Sequence, residues 1–526
     1  MKKRWHVLTV LFLSVLLLMP AGLIEANVTT YGKWTPSDPK GTPGTWYPGE
    51  TPVNLDPSKP PIVFVQGLNG SADNWYEETR YHGRNDMVEY AYNNGYRTAF
   101  VQLHDAGGEA ASVRENGKML AGLLKEIHGH FGEKVNVVAH SKGGPDTQAA
   151  LVHNNAYPYV GRVVTLGSPH HGSHLADLAY SSWAGWLAEL IGSKSPGTES
   201  LQVGKMEQFR SETDTHPNVN KNKYYTVAGT SWGPFPSALW TGGAYLSSHG
   251  SNDGLVNEWS TKLPNGNHLF TDKLDHDNIR LGKKVFSRIE GTLRSSSTAG
   301  VTTQLKTEQQ MDEAWDVPGH ILRGGPLQAD KAVVEEIPVE SGLKKAVFNV
   351  MTYGPTDVTL VSPSGKKYSK IRRGKDTQFF DGADVQAMSI NQPEPGAWTV
   401  KVKSSKESAY LLTTVLDGKD PVRLKWKGAT SKNKKVPVEV EMTQSGSKKK
   451  GQFDAKVKLI SPLDHGSATM EKGMYQSKLV REGDRFKGQL PVLQKSGVYN
   501  MTVDVKGIND KGEAFERTLV RSFYAE

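Results

Sequence analysis

Three short stretches hold residue types that can do chemistry together. VNVVAHSKGG (residues 135–144) ends an apolar run in a serine set among small residues. SNDGLV (251–256) offers an acid, Asp253, and KLDHDNI (273–279) a histidine, His276. A serine hydroxyl is a weak nucleophile. It needs a base to take its proton, an acid to orient that base, and N–H donors for the oxyanion that forms. The order Ser, acid, His is the one a strand–turn–helix elbow uses, and there the residues two before and two after the serine must be small. Here they are Ala139 and Gly143. The candidate triad is Ser141, Asp253 and His276, and the chemistry is acyl transfer.

Rivals stand close by. His268 begins a short apolar run, and His140 adjoins the serine but is expected to point away from it on an elbow. Asp275 and Asp277 compete with Asp253, yet lie too near His276 in sequence to reach its far ring nitrogen easily. A five-residue match with one relaxed position also occurs in ordinary βα turns; the acid and histidine downstream weigh against that reading. The oxyanion donors are expected from the backbone after the nucleophile, Lys142 N–H, and from the loop after the first central strand, Leu68 N–H in VFVQGLNG.

These residues need a scaffold, and the pattern predicts one. Ile62–Val65, Thr98–Leu103, Val135–Ala139, Arg162–Leu166 and Lys223–Ala228 are short apolar runs, as strands buried on both faces show. Helical patterns lie between them, at residues 84–95, at Ser112–Phe131 with Leu120, Leu123, Leu124, Ile127 and Phe131 in helical spacing, and at Asp146–Val152. This alternation predicts a doubly wound, mostly parallel sheet. Near residue 296 the rhythm breaks at SSSTAG, a linker composition. Beyond about residue 330, Lys345–Met351, Asp357–Val361, Ala397–Lys403 and Ser408–Val415 alternate as half-buried strands, and Val438–Met442, Asp454–Ile460, Gly497–Val505 and Arg517–Phe523 form a second set. The expected domains are a signal peptide (1–26), a catalytic α/β domain (27–295), a linker (296–325), a β-sandwich (326–419) and a basic Ig-like β-sandwich (420–526).

At 526 residues the chain exceeds one ordinary domain. Met1-Lys2-Lys3-Arg4 followed by the apolar run Val7–Ile24 and the Ile24-Glu25-Ala26 site reads as a cleaved secretory signal; an uncleaved anchor is the rival. The chain has no cysteine, which excludes disulfides, thiolate metal sites and a cysteine nucleophile. A secreted, disulfide-free chain suggests a bacterium, and a Gram-positive one. The formal charge is +8, and residues 301–526 hold 36 of the 63 Lys/Arg but only 28 of the 55 Asp/Glu, so the excess is C-terminal. Such a surface could meet an anionic wall polymer or lipid headgroups; a solvated lysine-rich face is the plainer reading. Nucleic acid is not expected as a partner.

Four stretches in order resemble the secreted bacterial lipases and esterases of the α/β-hydrolase superfamily: VFVQGLNG, VAHSKGG, TLGSPHHGS (165–173), and NDGLV followed by LDHDN. The resemblance covers residues 60–293. It implies an α/β-hydrolase fold followed by two all-β sandwich domains, hydrolysis of carboxylic esters as a lipase or carboxylesterase, and structural roles for His170 and Gly172. Two departures stand out. Gln66 replaces the usual histidine before Gly67, and Asn278 stands where many relatives place a calcium-binding aspartate. No metal and no cofactor are expected.

Two apolar stretches bear on substrate access. Leu175–Ile191, with Trp183 and Trp186, reads either as a lid that meets lipid or as a buried core helix. Trp232–Tyr245 reads either as an acyl-pocket wall or as packing for the N-terminal arm with Trp34 and Trp46. The rival functions are an extracellular polyester depolymerase whose β-domains hold the polymer, and a non-catalytic surface-binding protein. The complete Ser, Asp and His set argues against the last.

Overall fold

The computed structural model describes residues 41–299, 318–368, 371–376, 379–418, 422–425, 435–442, 452–462 and 474–526. The expected signal peptide, Trp34 and most of the linker lie outside the described residues.

The first sheet is built from β1 (Thr45–Pro48), β2 (Ile62–Val65), β3 (Thr98–Gln102), β4 (Val135–His140), β5 (Val160–Leu166), β6 (Lys223–Gly229) and β7 (Gly266–Asp272). Their order is β1-β3-β2-β4-β5-β6-β7. Only β1 runs antiparallel, on the edge against β3. The apolar runs alternate between two cores. Ile62 and Phe64 pack with Trp75, Phe100 and the helix Gly282–Leu293 on one face; Val63 and Val65 pack with Leu120, Leu124 and Ile127 of the helix Val113–Phe131 on the other. That second helix begins in a full capping box between Ser112 and Glu115 and stops at Gly132, which takes the left-handed conformation at φ +73°. From β2 the chain turns to one side for β3 and then crosses to β4 on the other. The C-terminal ends of β2 and β4 therefore flank the switch point, where open α/β sheets hold their ligands.

Two antiparallel sheets follow. They hold β8 (Gly319–Leu327), β9 (Ala332–Val339), β10 (Lys345–Thr352), β11 (Thr356–Val361), β12 (Lys367–Tyr368), β13 (Arg372–Lys375), β14 (Asp384–Asn391), β15 (Gly396–Ser404) and β16 (Ser408–Asp417). The orders β13-β14-β10-β16-β8 and β12-β11-β15-β9 face each other across a core centred on Trp398, Phe348 and Leu412. β8 starts inside the stretch expected as linker, so regular structure resumes earlier than its composition suggests. The last seven strands are β17 (Val422–Lys425), β18 (Pro437–Met442), β19 (Gln452–Ile460), β20 (Met474–Glu482), β21 (Arg485–Gln489), β22 (Gly497–Ile508) and β23 (Ala514–Ala525). They form one sheet around a separate apolar core that includes Phe486, Tyr499 and Phe523. The α/β-hydrolase architecture followed by β-sandwich-like domains is thus present.

Both β regions dock on the helical segment after β5. Gly204 lies so close to Phe523 that a Cβ would meet its backbone at 2.4 Å. Gly204 N–H donates to Ser522 Oγ at 2.8 Å, Arg521 pairs with Glu207 at 3.0 Å, and Asn500 Nδ2 donates to Gln202 Oε1 at 2.8 Å. Trp183 Nε1 donates to Asp504 Oδ1 at 3.1 Å under the ammonium of Lys458.

The Leu175–Ile191 stretch is two short helices, His174–Ala179 and Gly185–Leu190, and not one. Leu175, Leu178 and Leu187 are buried in a cluster that also holds Leu322, Met351, Phe379 and Phe380 of the first sandwich, while Trp186 and Leu190 stay exposed. Among the described residues, the Trp232–Tyr245 stretch packs on the first sandwich and not on Trp46. Trp46 packs on His130 of the long helix, whereas Phe235 and Pro236 meet Arg372 and Gly374 of β13, and Trp232 and Trp240 pack with Val347 and Val415.

Candidate active site

Ser141 stands at the end of β4 with φ +53°, a left-handed backbone that a residue with a Cβ adopts only at a cost of about 1–3 kcal/mol. The strand stops at His140 and the helix Gly143–Gln148 begins three residues later. Ser141 N–H donates to Leu166 O of β5 at 3.0 Å, and Gly144 N–H closes the turn on Ser141 O at 3.0 Å. A Cβ on Gly143 would sit 2.3 Å from Gln66 O, so only glycine fits there. A Cβ on Gly67 would lie 2.7 Å from the Ser141 Cβ, which places the loop after β2 directly against the serine. Gln66 is buried and, with its amide oriented to satisfy both ends, ties this loop to β3 through Val101 O (3.0 Å) and Leu103 N–H (2.8 Å). It therefore has the bonding role that its replacement of histidine left open.

His276 and Asp253 meet. His276 Nδ1 lies 2.8 Å from Asp253 Oδ2, and His276 N–H donates to Asp253 O at 2.8 Å. Asp253 Oδ1 accepts from Leu255 N–H (3.0 Å) and Val256 N–H (2.8 Å), so the buried carboxylate is fully engaged and fixed. A Cβ on Gly167, the residue after Leu166, would touch both Asp253 Oδ2 (2.8 Å) and His276 Nδ1 (3.3 Å). The strand end that holds Ser141 N–H is thus the one against which the acid–imidazole pair rests. With Asp253 on Nδ1, the imidazole presents Nε2 as an acceptor, which is the arrangement a general base needs.

The competing residues are committed elsewhere. Asp275 Oδ1 caps Asp277 N–H and Asn278 N–H, and its Oδ2 meets His82 Nε2 at 2.7 Å. Asp277 accepts from Tyr81 N–H and pairs with Arg280 at 2.5 Å. His268 sits between Thr226 and Thr271 hydroxyls on β7. His170 is buried with Nε2 3.2 Å from Thr165 Oγ1, and Gly172 has φ +86°, both serving the loop after β5. Among the described residues no group of three or more His, Cys, Asp or Glu side chains is arranged to hold a metal ion.

Sequence reasoning missed two things. His140 is a latch: its Nε2 lies 2.8 Å from His276 O, and burial first, then the neighbouring His276, push its pKa well below the ordinary histidine range. The second is a buried charged cluster under the elbow. Lys142, with no exposed surface, sends Nζ to Asp146 Oδ2 (3.1 Å) and Asp105 Oδ2 (3.3 Å). A lysine in the x position of an elbow reads as exposed; only its tertiary setting reveals otherwise.

No protein-family model matches the chain. Among solved structures, the Bacillus licheniformis lipase BlEst2 in its propeptide form is 35% identical, with a TM-score of 0.73, over 92% of this chain and 98% of that one. The chain belongs to the family of that Bacillus lipase/esterase, within the α/β-hydrolases. It is a carboxylic ester hydrolase by that membership. The same B. licheniformis lipase in its mature form is 51% identical over 48% of this chain and 99% of that one, with a TM-score of 0.45. A monoacylglycerol lipase of Paleococcus ferrophilus covers 48% of this chain at 14% identity, with a TM-score of 0.29.

Proposed function

We propose that the protein is a secreted serine esterase or lipase that works through Ser141, His276 and Asp253. His276 takes the proton of Ser141, the serine oxygen attacks the ester carbonyl, and the Leu68 and Lys142 amides hold the oxyanion. The protonated His276 then returns its proton to the departing alcohol, and a water activated by the same histidine hydrolyses the acyl-enzyme. The observation that carries this reading is the 2.8 Å His276–Asp253 pair beside a serine held at φ +53°. Secretion rests on the basic, then apolar N-terminus. The basic excess after residue 420 suits contact with an anionic wall or membrane surface.

We also propose that residues 27–295 are the catalytic domain and that the β-sandwiches after it cap its site. Two observations support this. The match to the B. licheniformis propeptide form extends through the β-sandwiches. Phe379 and Phe380, beyond β13, are buried with Leu175, Leu239 and Leu255, and Leu68 of the loop after β2 packs on the same cluster.

The test is turnover of p-nitrophenyl esters from acetyl to palmitoyl by the purified chain, before and after limited proteolysis, with Ser141→Ala beside it. Hydrolysis by the parent alone is expected, rising after proteolysis, and the preferred acyl length separates esterase from lipase. Equal turnover by Ser141→Ala would remove the serine mechanism.

A further inference from the structure

The two proposed oxyanion donors sit on separate elements, Leu68 on the loop after β2 and Lys142 on the turn after β4. Oxyanion stabilisation is steeply geometric: donors must lie about 2.7–3.1 Å from where the oxygen will be. A displacement of about 1 Å can cost about 100-fold in rate. Something must hold the loop and the turn in one register, and the chain between them is long.

One carboxylate touches both. Asp105 lies on the short helical turn His104–Gly107 after β3 and is buried. Its Oδ1 accepts from Asn69 N–H at 3.0 Å, the residue immediately after Leu68. Asn69 itself stands at φ +54°, a left-handed conformation that the bond to Asp105 helps to hold. The other oxygen, Oδ2, accepts from Asn116 Nδ2 at 2.6 Å and lies 3.3 Å from Lys142 Nζ. Asn116, from the long helix, also donates to Asp146 Oδ2 at 2.9 Å, and Asp146 takes Lys142 Nζ at 3.1 Å.

We propose that Asp105 is a positioning residue for acyl transfer: one carboxylate fixes the loop that carries Leu68 N–H and the elbow that carries Lys142 N–H. The inference rests on the oxyanion assignment above. A buried lysine is rare and a desolvated cluster of two carboxylates and one ammonium is costly, so stability alone is a weak reason for it. Burial, opposed by Lys142, raises Asp146 to about 7.

The experiment compares Asp105→Asn and Lys142→Met with the parent full-length chain, both before and after the same limited proteolysis. The readouts are kcat and KM on p-nitrophenyl butyrate, inhibition by an alkylboronic acid, which mimics the tetrahedral oxyanion, and thermal melting. The Asp105→Asn change keeps the shape but leaves one acceptor oxygen, so either Asn69 N–H or the Lys142 and Asn116 donors face an NH2 instead. The expected result is kcat lower by about 10- to 100-fold, KM within about threefold, and boronic acid affinity weaker by the same factor as kcat. Lys142→Met keeps its backbone N–H and cuts only the elbow side; it should lower kcat in the same manner, and it decides the matter if Asp105→Asn does not fold. A variant that melts earlier but keeps kcat and boronate affinity within about twofold of the parent overturns the proposal, leaving the cluster a purely structural one. Failure of the serine mechanism is read separately, because Ser141→Ala would then retain turnover.

Discussion

At the scale of single residues, acyl transfer turns on protons and fixed donors. Asp253 receives two backbone N–H bonds on one oxygen and His276 on the other. Asparagine in its place would keep the packing but offer His276 an amide that can select the wrong tautomer. Asp253→Asn is therefore expected to lower kcat by about 1,000- to 10,000-fold while leaving the fold intact. Stopped-flow or steady-state ester hydrolysis, with a circular dichroism melt as control, checks it. A loss below about tenfold would mean that Asp253 does not orient the base. The candidate triad could be named from the sequence because its order and local sequences constrain it: Ala139 and Gly143 around the serine, NDG around the acid, a histidine just before a helix. Asp105, Asn116 and His140 were not legible. Each acts through a partner at least 11 residues away in the chain, and no local pattern announces that.

At the scale of elements, the central strands declared themselves because strands buried on both faces are written in uninterrupted Val, Ile, Phe and Ala. β1 did not: its four residues are only half-buried at a sheet edge, and the Trp-Tyr-Pro run reads as an arm. β20 was hidden for a different reason: its burial alternates, but only Leu479 is buried, while Met474 and Val480 lie on the exposed side. The lid-like stretch was ambiguous because its apolar face is buried by segments far along the chain, in the first sandwich, which periodicity cannot see. The elbow gives the sharpest test of element geometry. A methyl on Gly143 would press against the carbonyl oxygens of Gln66 and Val65, backbone atoms that cannot step aside. Gly143→Ala should cost more than about 2 kcal/mol of stability and most of the turnover. Melting temperature and ester hydrolysis measured on the same sample decide it; a fully stable, active Gly143→Ala enzyme would contradict the close approach of β2 and the elbow.

At the scale of the whole molecule, the hydrolase and the β regions meet across a histidine cluster. His249 stacks on His174 with ring centres 3.7 Å apart, and His320 of β8 closes from the other side, 6.1 Å from His249 and 4.9 Å from Tyr245. Burial first, then Arg517 and His174, hold His320 down at about 3. Burial, with His174, His320 and Arg521, holds His249 well below its ordinary value. Both are neutral when folded, yet in the unfolded chain they take up protons near about pH 6.5. Stability is therefore full above about pH 6.5 and falls as the pH drops toward the folded values, by up to about 1.4 kcal/mol per unit for each such group. His320→Phe removes one titration and should flatten the slope: its urea midpoint should fall less between about pH 7 and pH 4.5 than that of the parent. An unchanged slope would mean that the interface does not open in the transition that urea reports.

The central claim is that Ser141 is the nucleophile, and the most direct measurement is covalent. The protein is treated with an alkyl fluorophosphonate, digested, and the adduct located by peptide mass spectrometry. One phosphonyl group per chain is expected, on Ser141, absent from Ser141→Ala and formed much more slowly in Asp253→Asn. An adduct on another serine, or labelling that Ser141→Ala leaves intact, would contradict it.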